Sequence, residues 1–164
     1  MQVLPQLYET DPVAYMAQRF GITETVTGAS FGIMFRIYTL ALITIIVALG
    51  IQAKGDIAMH DLPRNVLIFF SGAIALVTYT AYWIFAARTT ITPQDITQTF
   101  VWNKRMLLGE IAYVKYVRIP YLSWLIAPRA YIRNPQGKFT FIYGSTLELQ
   151  AIFAKMAALT QKKV

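Results

Sequence analysis

Two uncharged apolar runs dominate the first half of the chain, and a period-two alternation marks the second. Ile37 to Ala53 reads IYTLALITIIVALGIQA, seventeen residues without a charge. With Phe35 and the long stem of Arg36 it approaches the twenty or so residues that a hydrocarbon core requires. Val66 to Ala87 (VLIFFSGAIALVTYTAYWIFAA) adds twenty-two uncharged residues fenced by Arg64 and Arg88. Neither run carries a polar stripe wide enough to face water, as a helix on a soluble bundle must. The pattern therefore predicts two membrane-spanning helices, about 35–53 and 66–87. Lys54 to Arg64, containing Gly55 and Pro63, is short enough to make them antiparallel neighbours. Ser71, Gly72, Ala73 and Ala75 would let backbones approach closely in lipid, against the first span or another subunit.

The flanking segments are weaker. The first twenty residues carry Glu9, Asp11 and Arg19 and no apolar run, so they lack a secretory-signal pattern and no cleavage is expected. Asp11, Pro12 and Gly21 suit the cap, first turn and end of a short helix, with Val13, Met16, Ala17 and Phe20 on one face. That helix lies on a membrane surface, docks on a partner, or packs on the protein's own domain. Thr23 to Ser30 (TETVTGAS) reads as a linker.

Past residue 88 the period changes. Thr89–Thr92, the turn Pro93-Gln94-Asp95 and Ile96–Trp102 read as a hairpin. Met106–Leu108, Ala112–Ile119 and one or two stretches between Leu122 and Arg133 are further strands, and Asn134-Pro135-Gln136-Gly137 turns into Lys138–Tyr143. Arg129, Tyr131 and Arg133 alternate with Ala130 and Ile132, and Phe139, Phe141 and Tyr143 with Lys138 and Thr140, so one face should be core and the other wet. The Ser-x-x-Glu spacing of Ser145 and Glu148 suggests a capping box opening a last helix. Leu149, Ile152, Phe153, Met156 and Leu159 form the stripe of that helix, with Lys162 and Lys163 at its C-terminal end. The expected fold is membrane α+β: a tail over 1–32, a two-helix transmembrane hairpin over 33–88, and a small antiparallel β-barrel or sandwich over 89–164, capped by a C-terminal helix.

Charge adds orientation. Of fifteen Lys and Arg, eleven follow residue 87, against three acids there. Arg19, Arg36, Arg88, Lys104 and Arg105 would share one side of the membrane and Lys54 and Arg64 the other, which puts both termini in the cytoplasm. Phe35, Tyr38, Tyr82, Trp83 and Phe85 would then lie at one interface.

The element order resembles bacterial membrane proteins in which a transmembrane hairpin precedes a pleckstrin-homology-like (PH-like) domain. Arg88-Thr-Thr-Ile-Thr92 stands at the entry strand and Leu107-Leu-Gly-Glu-Ile111 at the acidic-hydrophobic step, and the likeness covers roughly residues 33 to 160. Those relatives often carry an aromatic just before that step, where this chain has Leu108-Gly109. The resemblance implies a PH-like barrel, a bacterial inner membrane and a binding or scaffolding role, with no catalytic activity to transfer.

The residues point the same way. With no cysteine there is no thiol nucleophile, disulfide or Cys-ligated zinc. His60 is the only histidine, near Asp56 and Asp61 in the interhelical loop, and reads as a surface residue. No carboxylate pair, phosphate loop or GxSxG is visible, so neither enzyme nor cofactor is expected. The sequence offers cations among aromatics instead: Lys104 and Arg105 in a hairpin turn, Lys115 and Arg118 near Tyr113, Tyr116 and Tyr121, then Arg129, Arg133 and Lys138. Ile119 to Pro128, with Tyr121 and Trp124, is a core strand, an interfacial segment or a contact patch. Two roles follow. One is an accessory, assembly or scaffold subunit touching other membrane-protein subunits; the other is a stand-alone protein binding anionic phospholipids. A nucleic-acid partner is not expected, for want of a basic helix or binding motif.

Overall fold

The structure, a computed structural model, describes residues 11–56, 63–122 and 126–161. His60 and Trp124 lie outside them. Helix α1 (Pro12–Phe20) is followed by strand β1 (Val26–Ala29), then by the long helices α2 (Ile33–Asp56) and α3 (Arg64–Ala86). Strands β2 (Arg88–Ile91), β3 (Asp95–Thr99), β4 (Lys104–Leu107), β5 (Tyr113–Val117), β6 (Arg129–Arg133) and β7 (Phe139–Tyr143) lead to helix α4 (Leu147–Gln161). The coarse α+β order read from the sequence is present. The strands form two antiparallel sheets, β1-β2-β3-β4 and β5-β6-β7, and no ladder joins them among the described residues.

Helices α2 and α3 contain segments of 20 and 23 residues long and apolar enough to cross a membrane. At about 1.5 Å per residue the helices reach roughly 35 Å, against about 30 Å of bilayer hydrocarbon. Ala81 is their one buried side chain among the described residues. The hydroxyls of Thr39, Thr44 and Thr80 donate to carbonyls one turn back, at 2.9, 2.9 and 2.8 Å, so each is satisfied within its own helix.

The stretch expected to be a linker is partly a strand. Val26 and Thr27 are β-formers, and β1 pairs antiparallel with β2 from Val26↔Ile91 to Ala29↔Arg88. The hairpin is therefore an insertion between two paired strands, so α2 and α3 depart from one end of one sheet. Local sequence does not disclose this, because the strand that gives β1 its partner comes after the hairpin. Gly28 explains how closely β1 lies under α4: a Cβ there would meet the Thr146 side chain and come within 2.8 Å of Leu149 Cδ1.

Helix α1 also joins the domain rather than a tail. Asp11 accepts from the Val13 and Ala14 amides at 3.0 Å each, and Gly21 at φ +66° ends the helix. Met16, Ala17 and Phe20 are buried with Ile91, Leu108, Phe153 and Met156, and Arg19 donates to the Leu159 carbonyl at 3.0 Å. The N-terminal stretch thus shares one core with the strands after residue 88. Of the three settings open to α1, packing on its own domain is the observed one.

Other expectations shift in detail. The strand proposed to run to Trp102 stops at Thr99, and Lys104 and Arg105 are not in a turn but in β4, opposite Gln98 and Thr97. Ser145 does not cap α4: its amide and hydroxyl both donate to the Ala29 carbonyl, at 3.0 and 2.8 Å. Leu149, Phe153 and Met156 are fully buried, as the stripe required. In the β6–β7 pair the inward side chains are Ala130, Ile132 and Ile142, so the aromatics of β7 point outward with the arginines of β6. Pro120–Leu122 is an exposed 3-10 turn, not a core strand.

Candidate interaction surface

The registers sort the candidate residues by height. Ala29, Arg88 and Thr99 are partners at the hairpin end of one sheet. Val117, Arg129 and Tyr143 are partners at one end of the other. Hydrogen bonds tie these two ends together: Ser30 and Thr89 share a hydroxyl contact of 2.9 Å, and Thr89 Oγ1 and Gln98 Nε2 both lie within donating distance of the Tyr143 carbonyl. Arg88, Lys104, Arg118 and Arg129 therefore cluster toward the hairpin, with Arg36 in the first turn of α2. Arg133 and Lys138 belong to the far end, Lys115 lies midway on β5 opposite Tyr131, and Arg105 sits one residue past Lys104, opposite Thr97 in the middle of β3. From Arg129 to Arg133 the strand climbs about 13 Å at roughly 3.3 Å per residue, more than one Debye length of about 8 Å in physiological salt. The two ends of the basic set are thus separated, a division the sequence did not contain.

An aromatic ladder covers the outer face of the second sheet. Tyr131 packs against Tyr113, Phe139 and Phe141 with ring centroids 6.4, 5.6 and 5.4 Å away. At the hairpin end, Phe31 stands 5.4 Å from Tyr143, 5.4 Å from Phe35 and 5.5 Å from Phe100. Cations lie over the rings: Arg129 is 5.5 Å from the Phe141 centroid, Lys104 5.6 Å from that of Tyr143, and Arg36 5.9 Å from that of Phe85. Lys104 Nζ donates to the Phe141 carbonyl at 2.9 Å, and burial pushes its ammonium below the usual lysine range. Burial raises the Tyr116 phenol, with the Arg118 charge acting against it, and that hydroxyl contacts Gln150 Oε1 at 3.1 Å.

The remaining cations are differently committed. Arg105 Nε meets the Asp95 carboxylate at 2.6 Å, and Asp95 also accepts from Thr92 Oγ1 at 2.7 Å. Arg133 and Lys138 flank the Asn134–Gly137 turn, closed by the Lys138 amide donating to Asn134 Oδ1 at 2.8 Å, and both are exposed.

Two apolar recesses share a lining residue near the start of α2. A groove of about 380 Å³ between α2 and α3 is lined by residues including Phe35, Leu42, Val77 and Ala81. A second, of about 310 Å³, is lined by Phe31, Phe35, Phe100, Ile126, Ala127 and Tyr143. Phe35 belongs to both. The Nε atoms of Arg36 and Arg129 and Nε1 of Trp83 are buried without a hydrogen-bond partner. Sequence reasoning named Arg129 but not Arg36 or Phe31 as site residues; the signal available was their position beside the first apolar run.

Tyr121 is 91% exposed. Ser71, Gly72 and Ala75 are exposed on α3 and line neither recess. Among the described residues no three His, Cys, Asp or Glu side chains gather as a metal site would need. Compared with protein-family models, curated proteins and solved structures, the chain matches none.

Proposed function

We propose that this protein is a non-enzymatic accessory or assembly subunit of a bacterial inner-membrane complex. Its hairpin crosses the bilayer with both termini in the cytoplasm, and its PH-like β domain is held against the inner leaflet as a contact module. The observation that carries the reading is the uncovered apolar surface of α2 and α3: between Ile33 and Ala86 one described side chain is buried, so lipid or neighbouring helices must cover the rest. The exposed Ser71, Gly72 and Ala75 suit lateral packing against another subunit. The insertion of the hairpin between β1 and β2 supports the second half of the reading, since movement of either helix acts directly on the sheet.

Purification from native membranes in mild detergent, followed by mass spectrometry of bound proteins and lipids, tests it. A stoichiometric set of membrane subunits is the expected result. A lone protein carrying enriched anionic lipid would instead favour a stand-alone lipid-binding role. That second reading draws on the cations gathered at the hairpin end, where each gains about 1 kcal/mol beside an anionic leaflet.

A further inference from the structure

We propose that the junction of hairpin and β domain holds one anionic phospholipid, with an acyl chain in the groove between α2 and α3 and its phosphate against Arg36 and Arg129. The inference rests on the reading that the hairpin lies in a membrane.

The groove and the second recess share Phe35 in their linings, which places the groove between the helices next to the base of the domain. Arg36 follows Phe35 directly, and Arg129 is the register partner of Tyr143, which walls the upper recess. Both guanidinium groups have an Nε–H buried without an acceptor. A buried cationic donor left unpaired is costly, and a phosphate is the acceptor whose charge and geometry suit it. Lys104, already over the Tyr143 ring, keeps two further N–H groups beyond its bond to the Phe141 carbonyl. A partner helix could fill the groove as well, but would need a carboxylate placed at these donors, whereas a phospholipid carries its acyl chain and its anion on one molecule. Arg133 and Lys138 take no part, lying about 13 Å along the strand from Arg129, and Arg105, though next to Lys104, is already paired to Asp95.

The test uses the full chain in nanodiscs of phosphatidylcholine doped with phosphatidylglycerol, with native mass spectrometry of the lipid retained after delipidation. One phosphatidylglycerol per chain is expected. Arg36→Gln with Arg129→Gln should lower its retention roughly tenfold, the size of losing about one charge-assisted hydrogen bond, whereas Arg133→Gln with Lys138→Gln should leave it unchanged. Val77→Trp, which fills the groove and leaves every charge in place, should lower retention as well. Equal loss from both charge pairs, full retention in Val77→Trp, or a co-purifying polypeptide whose removal opens the groove would each overturn the site. An alkaline carbonate wash of native membranes separates the two failures. Release of the protein would remove the membrane reading itself, while a protein that stays embedded yet keeps no phosphatidylglycerol overturns the lipid site alone.

Discussion

The hairpin and the β domain draw on the same kinds of side chain and treat them oppositely. In α2 and α3, Leu40, Ile45, Leu49, Ile68 and Phe69 are all more than half exposed. In the β domain, Ile91, Ile96, Leu108, Ile132 and Phe153 are wholly enclosed. The domain buries its apolar surface by folding, whereas the hairpin leaves that surface for its surroundings to cover. Buried packing is therefore concentrated in the β domain, and substitutions on the exposed surface of the hairpin should leave the domain's stability alone.

The sharpest way to break that division is a pair of truncations. Phe153→Ala, which empties the centre of α4's buried stripe, should cost about 3–5 kcal/mol in denaturant unfolding of the detergent-solubilised protein. Leu49→Ala, at a position 59% exposed, should move the same midpoint by less than about 0.5 kcal/mol. A comparable loss from Leu49→Ala would mean that the hairpin has a core of its own.

Gly28→Val asks whether β1 belongs to the domain. Its side chain would collide with Thr146 and Leu149, and overpacking of this kind costs about 1–3 kcal/mol. If β1 behaved as a linker, thermal melts of variant and parent would superimpose. Thr89→Val probes the seam where hairpin meets sheet. It deprives Ser30 and Gln98 of a buried hydroxyl partner, at 2.9 and 3.2 Å, and should cost about 1–2 kcal/mol while increasing amide exchange in β1. Unchanged exchange there would mean that the hydroxyl network does not hold β1. A small effect is also expected of Arg105→Ala. The Arg105 side chain is 67% exposed, so its bond to Asp95 should contribute under about 1 kcal/mol to unfolding and nothing to anionic-lipid retention. A marked fall in lipid binding would mean that the ion pair to Asp95 does not withhold Arg105 from the anion.

Parts of this architecture were legible residue by residue. The uncharged runs marked both long helices to within a few positions at most ends, because length and absence of charge are local properties. Alternation located β6 and β7 and their turn, but not which face was inside. That depended on Ala130, Ile132 and Ile142 joining one buried cluster with Leu149 and Phe153 of α4, which turned the aromatics of β7 outward. Ser145 and Glu148 had the right spacing for a cap, yet a carbonyl 116 residues earlier took the serine. Local signals lose wherever a distant partner offers a better-satisfied hydrogen bond. The site was legible as residue types and illegible as an arrangement: Lys104 and Arg133 looked equivalent until the strand registers placed them at opposite ends.

The sequence by itself determined the two apolar helices, the capped first helix, the buried stripe of the last and the positive charge of the C-terminal half, each of which depends on neighbours within a few turns of chain. Only the tertiary structure decided that the hairpin is an insertion between paired strands, that α1 completes the core, and that Phe35 lines two recesses at once. These are matters of contact between segments tens of residues apart, and such contacts are set by which surfaces fit once the chain has folded, not by the pattern along it.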